Sequence, residues 1–215
     1  SLIGDVTIDS QTTVTGSLSA VSDTGLSNND GLTMATTPFF NGTGEVDAAI
    51  ALTINNKTYT TTVNALGNWS VQVTDTLAEN SLATPSYAYS INATDIAGNE
   101  ATTDGVIVVD LTSPVEFAYQ LDANSDSGSS SVDGITHVIR PTFSGTGDAN
   151  ATVTLRIDNQ DYTVTVGSEG DWDLTLSNDL PVDGIYVYSF TVTDEAGNSR
   201  TVDDSLELDT VAALT

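Results

Sequence analysis

Acidic side chains are the one chemically capable population in this sequence. Of its 30 carboxylates, set against 4 basic residues for a formal charge of −26, thirteen return at matched places along the chain. They are Asp9, Asp110 and Asp209; Asp23 and Asp126; Asp30 and Asp133; Glu45 and Asp148; Asp95 and Asp194; and Asp104 and Asp203. A solvated acidic surface is the simplest account of most of the 30, because net charge keeps proteins soluble. Such a surface predicts only loose positional agreement between copies. Carboxylates that recur and converge are hard oxygen donors, and several at one point repel unless a cation neutralises them. Oxygen donors in that number select Ca²⁺ over Zn²⁺ or copper.

Other chemistry is poorly supplied. There is no Cys and one His, which removes disulfides, thiol nucleophiles, Cys-ligated zinc and His-rich metal sites. His137, in ITHVIRP, has no counterpart in the first copy and reads as a strand-surface residue. No Ser elbow or phosphate loop accompanies it, so an enzyme is not expected. Paired carboxylates serve glycosidases, but here they duplicate at domain ends, where a structural role places them. The negative charge opposes nucleic acid phosphates and anionic headgroups. No apolar run of about 18 residues exists to span a bilayer, so direct membrane insertion is not expected. The opening SLIGDVT has neither the basic nor the apolar region of a signal peptide, and the sequence reads as a soluble excerpt of a longer chain.

The elements that must position these acids follow from a repeat. An offset of 103 lays Pro38 to Gly44 on Pro141 to Gly147 and Trp69 on Trp172; an offset of 99 then lays Thr94 to Asn99 on Thr193 to Asn198. A period near 100 exceeds that of solenoids and is that of a tandem array of small domains. The expected organisation is residues 1–9 as the tail or linker of a preceding copy, 10–110 as the first domain, 111–209 as the second, and 210–215 as the start of the next linker. The 34 Thr residues and the abundance of Val, Ile and Tyr favour strands. Apolar positions alternate, as in Ile50, Leu52, Ile54 and Val153, Leu155, Ile157. Turn residues fall between: Asn55-Asn56 and Asn159-Gln160, Gly67-Asn68 and Gly170-Asp171, Ala97-Gly98-Asn99 and Ala196-Gly197-Asn198. About seven short strands per unit predict an all-β chain of tandem immunoglobulin-like Greek-key sandwiches, held without a disulfide. Trp69 and Trp172 are expected to face the cores. Phe117 and Tyr119, lacking aromatic matches in the first copy, are expected to pack on an edge strand.

Threading strands through such a sandwich brings the loop after the second strand (Glu45, Asp148), the last hairpin loop (Asp95, Asp194) and the acid preceding the first strand to one end. Asp9, Glu45 and Asp95 should converge on the first domain, and Asp110, Asp148 and Asp194 on the second, each group holding Ca²⁺. The loops DTGLSNNDG (Asp23 to Gly31) and DSGSSSVDG (Asp126 to Gly134) are placed between the first and second strands. They read either as further Ca²⁺ ligands, through Asp23, Asp30, Asp126 and Asp133, or as Asx turns satisfying their own backbone.

These segments resemble the bacterial immunoglobulin-like repeats in the stalks of giant type I-secreted, RTX-type surface and biofilm adhesins. The likeness rests on VDLTSP (Val109 to Pro114), DTGLSNNDGLT (Asp23 to Thr33), PTFSGTGDANATVTL (Pro141 to Leu155), GDWDLTL (Gly170 to Leu176) and TDEAGN (Thr193 to Asn198). It implies a monomeric, extracellular extender at the bacterial cell surface, with neighbouring repeats of the same chain as partners and Ca²⁺ at domain junctions. By similarity the ligands are the linker acids Asp9, Asp110 and Asp209 with Glu45, Asp148, Asp95 and Asp194. Two departures stand out: position 45 is Glu where 148 is Asp, and neither Asp9 nor Asp209 is followed by a nearby Pro such as Pro114. The alternative is an Ig-like module that itself binds a ligand or carbohydrate.

Overall fold

A computed structural model describes residues 8–80, 86–128 and 130–211. Residues 1–7 of the expected preceding-repeat tail and 212–215 of the expected next linker lie outside them. Backbone packing divides the chain into one unit ending at Leu111 and another beginning at Thr112.

In the first unit the strands are β1 (Val14–Leu18), β2 (Leu32–Thr33), β3 (Phe39–Gly44), β4 (Ala49–Ile54), β5 (Lys57–Thr62), β6 (Asn68–Gln72), β7 (Tyr87–Thr94) and β8 (Glu100–Val109). They form a three-stranded sheet, β1-β3-β6, and a five-stranded sheet, β2-β8-β7-β4-β5. The second unit repeats this with β9 (Phe117–Leu121), β10 (Ile135–Thr136), β11 (Thr142–Gly147), β12 (Thr152–Ile157), β13 (Gln160–Thr165), β14 (Asp171–Thr175), β15 (Gly184–Thr193) and β16 (Ser199–Leu208). Its sheets run β14-β11-β9 and β10-β16-β15-β12-β13. Each unit is an all-β immunoglobulin-like sandwich.

The structure describes eight strands per unit where the sequence predicts about seven, because the first strand is split between sheets. β1 pairs antiparallel with β3, whereas β2 runs parallel to β8. The Asp23–Gly31 loop is therefore the crossover inside the first strand rather than a connection to the second. Gly25 and Gly31, at φ 95° and 78°, give it turns that side chains with a Cβ resist. One turn also differs by a residue. Asp158 and Asn159, not Asn159 and Gln160, take left-handed φ values of 49° and 59°, the same pair of angles as Asn55 and Asn56. Two adjacent positive φ values make the tight turn that matches strand twist, and Asn and Asp tolerate them best.

Alternation along the strands builds one core per unit. Phe40, Ile50, Leu52, Ile54, Ile91 and Ile107 are buried in the first, and Phe143, Leu155, Ile157, Leu176 and Phe190 in the second. Trp69 and Trp172 face these cores at 3% and 4% exposure, and the Trp69 indole N–H donates to the carbonyls of Thr15 and Thr43. The Trp69 ring lies over Gly16, where a Cβ would come within 2.2 Å of it. In the second unit Tyr119 holds the corresponding position on edge strand β9, and Phe117 stacks on Trp172 at 5.7 Å and 8°. Gly16→Ala should thus destabilise the first unit alone, by about 1–3 kcal/mol through overpacking, seen as a lowered midpoint in thermal unfolding.

Candidate metal centre

Three chain segments meet at one end of the first unit. The loop after β7 is a tight turn: Asp95 N–H donates to Asn99 O at 3.0 Å and Gly98 N–H to Asp95 O at 3.2 Å. The turn aims N–H groups at the Asp95 carboxylate. Its Oδ1 accepts the Asn99 backbone N–H at 2.8 Å, and its Oδ2 accepts the Asn99 side-chain amide at 2.7 Å. The same amide reaches Asp9 Oδ1 at 3.4 Å, tying the segment before β1 to this loop. Glu45 follows β3 in a turn closed by Ala48 N–H to Glu45 O at 3.1 Å.

One carboxylate oxygen from each of Asp9, Glu45 and Asp95 lies within 4.8 Å of the others. At about 4 Å two unit charges repel by about 1 kcal/mol in water and about 4 kcal/mol at the effective dielectric near a protein surface. Burial works against the charge of Asp95, but the Asn99 side chain and the N–H groups of Asn99, Gly98 and Ala97 outweigh it and hold its carboxyl below the usual range. One member of the cluster is thereby kept anionic, and a cation is the natural counter-charge. An all-oxygen donor set fits Ca²⁺, whose six to eight ligands can be completed by loop carbonyls and water.

Because the folded pKa of Asp95 is depressed, its stabilising contribution is present above the ordinary carboxyl value and lost as pH falls through the lowered one. Asp95→Asn should flatten that part of the acid limb in denaturant titrations run in chelator between about pH 5 and pH 2.

The second unit builds the same hairpin loop. Asp194 Oδ1 accepts the N–H groups of Gly197 and Asn198, both at 2.8 Å, and Oδ2 accepts the Asn198 amide at 3.1 Å. Asp148 follows β11 as Glu45 follows β3. Asp110 and Asp209 each follow a last strand, donating N–H to Thr33 O at 2.9 Å and Thr136 O at 2.8 Å. Sequence reasoning missed the amide clamp of Asn99 and Asn198. Both residues were in plain sight in TDIAGN and TDEAGN, where they read as turn formers only.

The crossover loops realise the Asx-turn reading and leave something over. Asp30 Oδ1 accepts Leu32 N–H at 3.0 Å and Asp133 Oδ1 accepts Ile135 N–H at 3.2 Å. Asp23 and Asp126 each use Oδ2 to accept an N–H, from Gly31 at 3.2 Å and Gly134 at 3.3 Å. Yet Asp23 and Asp126 are only 4% and 5% exposed, and the Oδ1 of each is buried with no hydrogen-bond partner. Burial pushes the Asp23 carboxyl up, the Gly31 N–H offsets part of that, and the charge of Asp30 beside it adds to the rise.

The bacterial Ig-like domain family matches residues 8–111 and again residues 112–210. The chain belongs to this family. These Ig-like domains are 28% identical to a Ca²⁺-stabilised adhesin that helps an Antarctic bacterium reach out and bind ice, over 94% of this chain and 50% of that one, with a TM-score of 0.40. A bacterial ice-binding adhesin is 25% identical over 94% and 65% of the two chains, with a TM-score of 0.43. A tetra-tandem repeat from the extending region of a large adhesion protein is 24% identical over 94% and 50%, with a TM-score of 0.38. The Ig-like pair thus spans between 50% and 65% of the length of these chains. No curated protein matches the sequence.

Proposed function

We propose that this Ig-like pair is a non-catalytic, Ca²⁺-rigidified extender in the stalk of a bacterial cell-surface adhesin, holding a distal adhesive region away from the cell. The observation that carries the reading is the meeting of Asp9, Glu45 and Asp95 within 4.8 Å at the end of a domain that repeats in tandem. A cation there ties the segment entering a domain to two of its loops. By the repeat, Asp110, Asp148 and Asp194 are the counterparts, and Asp209 supplies the same acid to a following copy. Extracellular Ca²⁺ modules have dissociation constants of about 10⁻⁴ to 10⁻³ M, so they stay empty in the cytosol and fill outside. Their partners are then neighbouring repeats of one chain. A sugar-binding role has less support, because Trp69 and Trp172 are buried in the cores and such sites present exposed aromatics.

Small-angle scattering of the chain in Ca²⁺ and in chelator tests the reading. The maximum dimension should shorten and the ensemble broaden when Ca²⁺ is removed; an unchanged profile would sink the extender role. Asp110→Ala should lower the number of Ca²⁺ ions bound per chain by at least one in calorimetric titration, and an unchanged count would show the ligand assignment to be wrong.

A further inference from the structure

The crossover inside the first strand is the place where each sandwich passes from one sheet to the other, and in both units a half-open cavity lies against it. In the first unit Asp23, Asp30, Leu18, Tyr89, Gly105 and Ile107 are among its walls. In the second, the residues at the matching positions are Asp126, Asp133, Leu121, Tyr188, Asp204 and Leu206. The cavities measure about 420 and 380 Å³, ample for an ion with several waters at about 30 Å³ each. Each is walled by a buried carboxylate whose Oδ1 has no donor. A buried carboxylate oxygen without a donor is costly unless something positive meets it, and that this orphan occurs twice, in two units of different sequence, makes it a feature of the fold.

We propose that each cavity is an intradomain cation site, with Asp23 or Asp126 as the buried anchoring ligand and Asp30 or Asp133 as the second, and that the site of the second unit is the tighter. Both sites are distinct from the end cluster of Asp9, Glu45 and Asp95 and do not depend on it. The difference between the copies lies in one wall: Asp204 adds a carboxylate to the second cavity where the first has Gly105. A Cβ at Gly105 would come within 2.3 Å of the Tyr89 hydroxyl, so the first unit has no room for that side chain as it stands. In the second unit Asp204 sits beside the phenols of Tyr188 and Tyr119, which burial, followed by its charge, pushes up. Affinity in oxygen-ligand sites rises with carboxylate count, and one added carboxylate should be worth about tenfold. In the second unit an ion shared by Asp126, Asp133 and Asp204 ties the crossover loop to β16.

Titration calorimetry of the metal-stripped chain with Ca²⁺, alongside Tb³⁺ luminescence excited through the cavity tyrosines, tests this. Asp23→Asn and Asp126→Asn should each remove one ion, and the double variant two, while Asp95→Asn leaves both crossover sites filled. Loss of the end cluster and loss of these sites are thus read separately. Asp204→Asn, a change at an exposed residue, should weaken the tighter crossover site about tenfold and leave the other unchanged; it also carries the test if Asp126→Asn fails to fold. A double variant that binds as many ions as the original chain overturns the proposal. So does an Asp23→Asn chain that is more stable with an unchanged ion count, the mark of a proton shared by Asp23 and Asp30. Equal effects of Asp204→Asn on both sites overturn the ranking.

Discussion

Removing Ca²⁺ should lower the melting temperature of this chain by about 10–20 °C. A ligand that binds only the folded state at about 100 times its dissociation constant adds about 2.7 kcal/mol. For a unit of about 100 residues each kcal/mol moves the midpoint by about 4–8 °C. The chain is exposed to such a loss for two reasons visible in its residues. It has no Cys, so no covalent link closes either sandwich. Its charge of −26 also works against compaction, most acutely where Asp9, Glu45 and Asp95 meet. Differential scanning calorimetry in millimolar Ca²⁺ and then in excess chelator measures the shift. Raising monovalent salt in chelator should recover only part of it, because screening relieves repulsion at the surface without supplying a divalent cation for the carboxylates to coordinate. A shift of less than about 3 °C would mean that these carboxylates are solvating surface after all.

Much of the fold was legible because it repeats. Two copies read against each other separate positions that matter to the sandwich from those that drift, and the period-2 runs at Ile50 to Ile54 and Val153 to Ile157 lie on β4 and β12 as expected. What stayed hidden was too short or too singular to leave a pattern. β2 and β10 are two residues long, below any detectable alternation, and they exist through their parallel pairing with β8 and β16. The meeting of Asp9, Glu45 and Asp95 could be read because strand order alone brings their loops to one end. The orphaned Oδ1 atoms of Asp23 and Asp126 could not, since burial of one oxygen of a carboxylate depends on packing. Nor could Asp204. A mismatch with Gly105 reads in sequence as drift, and becomes informative only when both line the same cavity.

The largest effect of a single substitution is expected in the core of the second unit. Phe190→Ala should destabilise the second unit by about 3–5 kcal/mol, the usual cost of emptying a buried aromatic site. The side chain is fully buried, with ring centroids of Tyr119 at 5.0 Å, Trp172 at 5.4 Å, Phe143 and Tyr188 at 5.5 Å and Phe117 at 5.8 Å. The first unit fills the equivalent space differently, with Ile91 in place of Phe190, Val14 in place of Phe117 and Gly16 under the Trp69 ring in place of Tyr119. All three positions carry the larger side chain in the second unit, so they differ as a set. Phe190→Ile alone therefore should not reproduce the first unit; it leaves a void against Tyr119 and Phe117 and should cost more than the 1.5 kcal/mol or so expected of a volume-conserving swap. Because the two cores share no residue, calorimetry should show the second unit melting earlier by about 12 °C or more while the first holds within about 2 °C. A single transition that moves as a whole would instead reveal that the two sandwiches unfold as one cooperative body.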